Sequence, residues 1–172
     1  NGKPLIYYTI QQAVKSKIFK NIVVSTDSKK IQKISIKFGA SSWFLRQANL
    51  SGDNISKIKV IRDSLKKSEK YYKKKFDYIV DLDATSPLRK IIDIKKSFKF
   101  FKKKKYDNLF SVCESSRNPY FNIIEKNKSK VKLVKKTKNI FSRQKAPKTF
   151  DLNASIYIWK RKAILKKNNL FV

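Results

Sequence analysis

The chain has 172 residues, 41% of them hydrophobic and 32% charged, and carries a formal charge of +31. That length suits one α/β domain, and apolar residues in short, regularly spaced groups exclude disorder throughout. One cysteine and no histidine exclude an internal disulfide, a zinc site and a Ser–His or Cys–His nucleophile pair. Cys113 is expected to be a small buried hydrophobe.

Residues 3–17, KPLIYYTIQQAVKSK, predict a helix: Pro4 suits a first turn, and Leu5, Tyr8, Ala13 and Ile18 fall near one face. KNIVVSTD predicts a buried strand over 21–26. Behind Asp27, a capping candidate, Ile31, Ile34 and Phe38 recur at helical spacing until Gly39 stops them. SSWFLR (41–46) predicts another strand, followed by the polar loop QANLSGDN. Ile55, Ile58, Ile61 and Leu65 predict a helix that fades into the lysines of 66–75. FDYIVDLD predicts a strand, Ile91, Ile94, Phe98 and Phe101 a helix with an exposed lysine tail, and YDNLFSVCE (106–114) the strand after it. This order, αβαβαβαβ, predicts an α/β fold with helices on both faces of a mainly parallel, twisted sheet. From Asn118 the pattern changes to a hairpin-type excursion with Asn127 and Lys128 near its turn. The irregular RQKAPKTFDLN (143–153) then leads into a final strand, 154–159. With no internal repeat or linker, residues 1–172 are read as one domain.

The charge raises the question of a nucleic-acid partner, because Lys and Arg neutralise phosphates. The basic residues mark no single face. Six of the 43 are arginine (Arg46, Arg62, Arg89, Arg117, Arg143 and Arg161), and lysine runs through every segment beside Ile, Asn, Phe and Tyr, the residues of A/T-rich codons. A low-GC genome is the preferred source of the charge, and no nucleic-acid partner is expected. Nor is a membrane partner, since no run of about 18 apolar residues and no signal-peptide pattern occurs; the expected compartment is the cytoplasm. The chain opens at Asn1 on what already reads as a helix entrance and contains no methionine, so the native N-terminus is expected to lie upstream.

In an open α/β sheet the carboxyl ends of the strands face the ligand crevice. STD (25–27), LRQANLSGDN (45–54) and DLDATSPLR (81–89) fall there, and 143–153 joins them if the last strand lies centrally. Each also has a plain structural explanation: Asp27, Asp53 and Asp93 as N-caps, Pro87 as the end of a loop. Asp81 and Asp83, at alternate strand positions, share a face that suits metal or sugar-hydroxyl contacts.

Five stretches, NGKPLIYYTIQQAVKS, IVVSTDSKKIQKISIKFGA, FLRQANLSGDN, TSPLR and RQKAPKTFDLNASIYI, resemble in order and separation the acylneuraminate cytidylyltransferase family, the CMP-sialic acid synthetases. The resemblance covers essentially the whole chain. It implies a three-layer αβα, Rossmann-like nucleotidyltransferase fold and a reaction in which the anomeric hydroxyl of a nonulosonic acid attacks the α-phosphate of CTP. CMP-sugar and pyrophosphate result, with Mg2+ as cofactor. Such transfer needs positioning and charge neutralisation more than a covalent nucleophile, so the missing histidine is no obstacle. By the same resemblance Arg46, Asp53 and Asp83 face the nucleotide. Asp83 also belongs to the sugar side, with Arg143, Gln144, Asn153 and Tyr157. The plain alternatives are core packing for Tyr157 and a solvated loop charge for Arg143. Catalytic residues and metal ligands stay unassigned. Residues 118–142 are the candidate subunit contact of a homodimer.

The sequence departs from the family pattern in four places. Asp83 stands where many members have a glutamine that contacts substrate, and an acceptor-only carboxylate recognises different groups from an amide. The expected acceptor is therefore a related sugar acid such as legionaminate rather than N-acetylneuraminate. Ala154 stands where glycine is usual. The family's Ala-Arg-x-x-Ser-Lys-type phosphate loop and its metal-binding aspartates are expected beyond the two ends, so the 172 residues alone are expected to make no CMP-sugar. Two other enzyme-fold readings and one from a different class compete. A cytidylyltransferase for the eight-carbon sugar acid of lipopolysaccharide would carry a QGDEP-like stretch in place of DATSP. An inactive nucleotidyltransferase-fold protein is the second. A basic nucleic-acid-binding module would need aromatics interleaved with cations, for which only KYYKKKF (70–76) partly qualifies.

Overall fold

The computed structural model describes residues 2–135 and 142–170. In chain order its elements are α1 (Leu5–Ser16), α2 (Lys29–Lys37), α3 (Lys57–Tyr72), β1 (Tyr78–Leu82), α4 (Ile91–Lys104), β2 (Asn108–Glu114), β3 (Ile124–Asn127), β4 (Lys130–Leu133), β5 (Phe150–Lys160) and α5 (Arg161–Lys166), with short 3-10 turns at Ala48–Leu50 and Arg143–Lys145. They form two compact units, Asn1–Phe110 with Ala154–Val172, and Ser111–Asn153.

In the first unit α1 starts behind Pro4, whose fixed φ of −64° leads into the helix, and ends at Lys17 in the left-handed region. Its buried face is Thr9, Ile10, Ala13 and Ser16; Leu5, expected to face inward, is 48% exposed. The cap of α2 is Ser28, whose hydroxyl accepts from the Ile31 N–H at 3.3 Å, and not the neighbouring Asp27. The two segments expected as strands over 21–26 and 41–46 meet in a single parallel bridge, Val23 with Ser41. Ile58, Ile61 and Leu65 of α3 are buried as their spacing predicts, but the helix does not fade at 66: it runs to Tyr72 and closes at left-handed Lys73. Lysine is a good helix former, and an outer face of solvated lysines does not oppose the helix.

The three-stranded sheet has the order β1-β5-β2. β5 runs antiparallel to β1, with Tyr78 opposite Lys160 and Leu82 opposite Ile156. The mainly parallel sheet expected from the αβ alternation is thus not what these strands form. Alternation of element types carries no information on the direction of the last strand. β5 is buried on both faces: Tyr157 and Trp159 pack with Ile58, Ile61 and Leu65 of α3 and with Ala163 and Ile164 of α5. Ile156 and Ile158 pack with Ile94 and Phe101 of α4. Each fully buried side chain of this size contributes roughly 1.5–3 kcal/mol, so β5 anchors this unit.

In the second unit β3 and β4 form an antiparallel hairpin in which Asn127 pairs with Lys130. Lys128 takes φ 53° in its turn, where the turn was expected. Residues 136–141 of the expected 118–142 excursion lie outside the described residues. Cys113 is exposed rather than buried, because the last three residues of β2 have no cover.

Candidate active site

Strand alternation sends Val80 and Leu82 of β1 to the α4 side and leaves Ile79 on the α3 side; Asp81 and, just past the strand, Asp83 share that α3 side. The first residue of α3, Lys57, meets them there. Its Nζ lies 2.8 Å from Asp81 Oδ2 and donates to Asp83 Oδ1 at 2.6 Å and Oδ2 at 2.7 Å. The same ammonium sits 3.9 Å from the centroid of the Tyr157 ring, directly across the ladder from Asp81. Asp81 Oδ2 is sealed from solvent, with the Lys57 ammonium as its close partner.

The electrostatics follow from this crowding. Burial raises the Asp81 carboxyl above its ordinary value, with Lys57 pulling the other way and Asp83 adding to the rise. Burial pulls Lys57 down, but the two aspartates outweigh it and hold the ammonium above its usual value. Burial raises the Tyr157 phenol against the pull of Lys57.

A second network fixes the loop that follows β1. Gln12 of α1 donates from Nε2 to Pro87 O at 2.6 Å and Arg89 O at 2.7 Å. Arg89, 9% exposed, donates from Nη1 to Gln12 Oε1 at 3.1 Å, from Nε to Ser155 Oγ at 2.8 Å and from Nη2 to Asp83 O at 2.7 Å. Its guanidinium spends its fork on neutral acceptors. Desolvation lowers its pKa, offset by Asp83 and Asp81, and arginine stays charged regardless. Ser86 Oγ donates to Ala154 O at 2.9 Å. Ala154 has φ 46°, a left-handed backbone that glycine adopts without strain. Residues 83–89 are therefore clamped from α1 and β5, and Asp83 is held at both its carbonyl and its carboxylate. An apolar pocket of about 360 Å³ opens beside Lys57 and Tyr157, walled by Ile58, Ile61, Trp159 and Leu170.

The expected site residues fall as follows. Asp83 and Tyr157 come together through Lys57. Tyr157 is 5% exposed and part of the core. Arg46 donates from Nε to Ser51 Oγ at 3.2 Å and lies 3.7 Å from Asp27. Asp53 sits in an exposed turn and makes no ion pair among the described residues. In the second unit Arg143 donates to Ser116 O at 2.9 Å, Asn153 Oδ1 accepts from Ser111 Oγ at 2.7 Å, and Gln144 is exposed in a 3-10 turn. Lys57 and Gln12 were missed. One lysine in a lysine-rich chain and one of two adjacent glutamines carry no local signal. A group of three or more acidic or thiol side chains able to hold a metal does not occur among the described residues. The Asp81–Asp83 pair is already bridged by an ammonium, so these residues do not fit a divalent cation.

A family model described as cytidylyltransferase matches residues 1–171. The chain is 47% identical to the post-translational flagellin modification protein B of Campylobacter coli over 99% of its own length and 72% of that protein's. It is 44% identical to the CMP-N,N'-diacetyllegionaminic acid synthase of Campylobacter jejuni, again over 99% and 72%. The structure of CMP:2-keto-3-deoxy-manno-octonic acid synthetase complexed with CTP superposes at a TM-score of 0.66 with 15% identity, covering 95% of this chain and 66% of that one. This likeness shows the fold, an α/β nucleotidyltransferase fold. With the clamped TSPLR loop and a family match along almost its whole length, the chain belongs to the cytidylyltransferase family.

Proposed function

We propose that the protein transfers CMP from CTP to the anomeric hydroxyl of a nonulosonic acid of the legionaminate class and releases pyrophosphate. The observation that carries this reading is the Asp83 carboxylate, held on both oxygens by Lys57 at the head of the clamped loop. A carboxylate fixed in this way recognises a hydroxyl or amide N–H, which a sugar acid bearing acylamino groups offers. The likeness to an enzyme named for N,N'-diacetyllegionaminic acid supports the same class.

Within this reading Arg46 and the turn at Asp53 serve the cytidine nucleotide, Arg46 through a planar fork suited to nucleotide oxygens. Tyr157 supports Asp83 from beneath Lys57. In the second unit Arg143, Gln144 and Asn153 are the candidates for the sugar's carboxylate and polar arms. Residues 118–142 are the candidate contact of a homodimer, and the cytoplasm, where CTP is made, is the proposed compartment. Mg2+, which the family resemblance implies, finds no cradle among the described residues, and what these residues supply is positioning.

The test is pyrophosphate release by the full-length gene product with CTP and a panel of legionaminate, pseudaminate, N-acetylneuraminate and the eight-carbon acid. Preference for legionaminate by at least about tenfold in kcat/KM, the discrimination that one buried charge-assisted hydrogen bond supplies, is expected. Preference for the eight-carbon acid, or turnover of none, refutes the proposal.

A further inference from the structure

The loop after β1 is seated without apolar burial. Its one long aliphatic side chain, Leu88, is 92% exposed, so the burial that usually holds a leucine-bearing segment against its neighbours is absent. What fixes residues 83–89 is polar, and much of it converges on one amide. Gln12 gives its two N–H groups to the carbonyls on either side of Leu88, Pro87 O at 2.6 Å and Arg89 O at 2.7 Å, while its Oε1 accepts from Arg89 Nη1 at 3.1 Å. Carbonyls only accept and a guanidinium only donates, so the amide fits in one orientation; a carboxylate of the same length would lack the donors, and an ammonium the acceptor. The guanidinium that meets Gln12 through Nη1 meets Asp83 O through Nη2 at 2.7 Å. One turn before Gln12 on α1, Thr9 Oγ1 donates to that same carbonyl at 3.3 Å. The plane of the fork is thus set at one end by Gln12 and grips Asp83 at the other.

We infer that Gln12 is a positioning residue: without touching substrate itself, it holds the TSPLR loop and, through Arg89, the backbone of Asp83 where the sugar's donor group is to bind. The sugar half of this rests on the proposed function; the loop half does not. Among the described residues the three side-chain hydrogen bonds of Gln12 all go to this loop, and none to Arg46 or to the turn at Asp53. Its neighbour Gln11 reaches the other way, donating to Phe38 O at 3.2 Å. A loosened loop is therefore a fault of the sugar side. A sugar site formed only part of the time binds more weakly by that fraction, and a displaced acceptor slows the transfer as well.

The experiment compares wild type with Gln12→Met, which matches the length of glutamine and removes all three hydrogen bonds, and with Gln12→Glu, which keeps an acceptor for Arg89 and removes only the two donors. The full-length gene product is used, with two readouts. The first is the 1H–15N spectrum of the free protein. In Gln12→Met the amide signals of Asp83, Ser86 and Arg89, and the Arg89 Nε–H signal that reports its bond to Ser155 Oγ, are expected to broaden through exchange between held and released forms of the loop. Those of Ile158 and Trp159 in the buried part of β5 should stay sharp. A residue that contributed stability alone would leave the loop signals of the folded protein sharp too. The second readout is steady-state kinetics. The sugar KM is expected to rise about tenfold in both variants, within the roughly thirtyfold that two lost hydrogen bonds supply, while the KM for CTP stays within about twofold. Gln12→Glu, in which Arg89 still has a partner, remains the test if Gln12→Met does not fold. Loop signals as sharp as in wild type, a sugar KM within about twofold of wild type, or equal changes in both KM values overturn the inference. If the loop signals broaden while wild type turns over no nonulosonic acid, the proposed function and the sugar half fall together, and the role of Gln12 in holding the loop stands.

Discussion

Arg89→Met should be among the most damaging single changes in the first unit. Arg89 is buried and gives three hydrogen bonds, to Gln12 Oε1, Ser155 Oγ and Asp83 O, linking α1, β5 and the end of β1. Charge-assisted hydrogen bonds contribute about 1.5–3 kcal/mol each, so the gross loss is about 5–9 kcal/mol. Two effects reduce it. Methionine no longer needs a guanidinium to be taken out of water, and Asp83 O keeps weaker donors in Thr9 Oγ1 and the Ser86 N–H. A net loss of about 3 kcal/mol remains, a large part of the roughly 5–15 kcal/mol that holds an ordinary domain together. At about 2–4 °C per kcal/mol for a chain of this size, Tm should fall by about 6–12 °C. Urea unfolding should show a lower midpoint at unchanged slope, the signature of a stability change without a change in surface exposed. Arg89→Lys, which keeps the charge but cannot span three separated acceptors, should lose about half as much. A loss below about 1 kcal/mol for Arg89→Met, within the range of surface substitutions and their errors, would refute the view that this guanidinium clamps the loop.

Two further outcomes follow from the same geometry. Glu69 takes Arg161 at 2.6 and 2.9 Å, and that hydrogen-bonded pairing outweighs burial and lowers its carboxyl from the ordinary 4.5. A depressed carboxylate contributes stability that is fully present above its unfolded value and is lost as pH falls through its folded value. Acid unfolding curves should therefore show wild type losing stability below about pH 4.5, whereas Glu69→Gln should be flatter there; parallel curves would rule out the pairing as the cause. At Ala154, φ 46° burdens an L-residue with about 1–2 kcal/mol, against about 0.4–1 kcal/mol of unfolded-state entropy that glycine adds. Ala154→Gly should raise stability by up to about 1 kcal/mol, read as a higher denaturation midpoint, and a drop would show that the methyl group packs well enough to outweigh the strain.

Much of the secondary structure was legible because it is local. The spacing of Ile58, Ile61 and Leu65 depends only on the helical period, and the turn of β3 and β4 depends only on residues near Lys128. The ordered motifs around Arg46, TSPLR and Asn153 were enough to indicate the family. The sequence also placed Asp81 and Asp83 on one face, since strand alternation is a property of the backbone itself. Other features depended on partners distant along the chain. Nothing in the neighbourhood of Asn153 says that β5 runs antiparallel to β1, because strand direction is set by which edge the returning chain can cover. Cys113 is exposed since cover comes from other elements, whatever the residue's own preference. Above all, one lysine becomes the partner of two aspartates only when α3 packs on β5 and carries Lys57 across to β1. Sequence order identifies the ionisable groups, and only the packed fold decides which of them share a low-dielectric space, where a few ångströms determine who holds the charge.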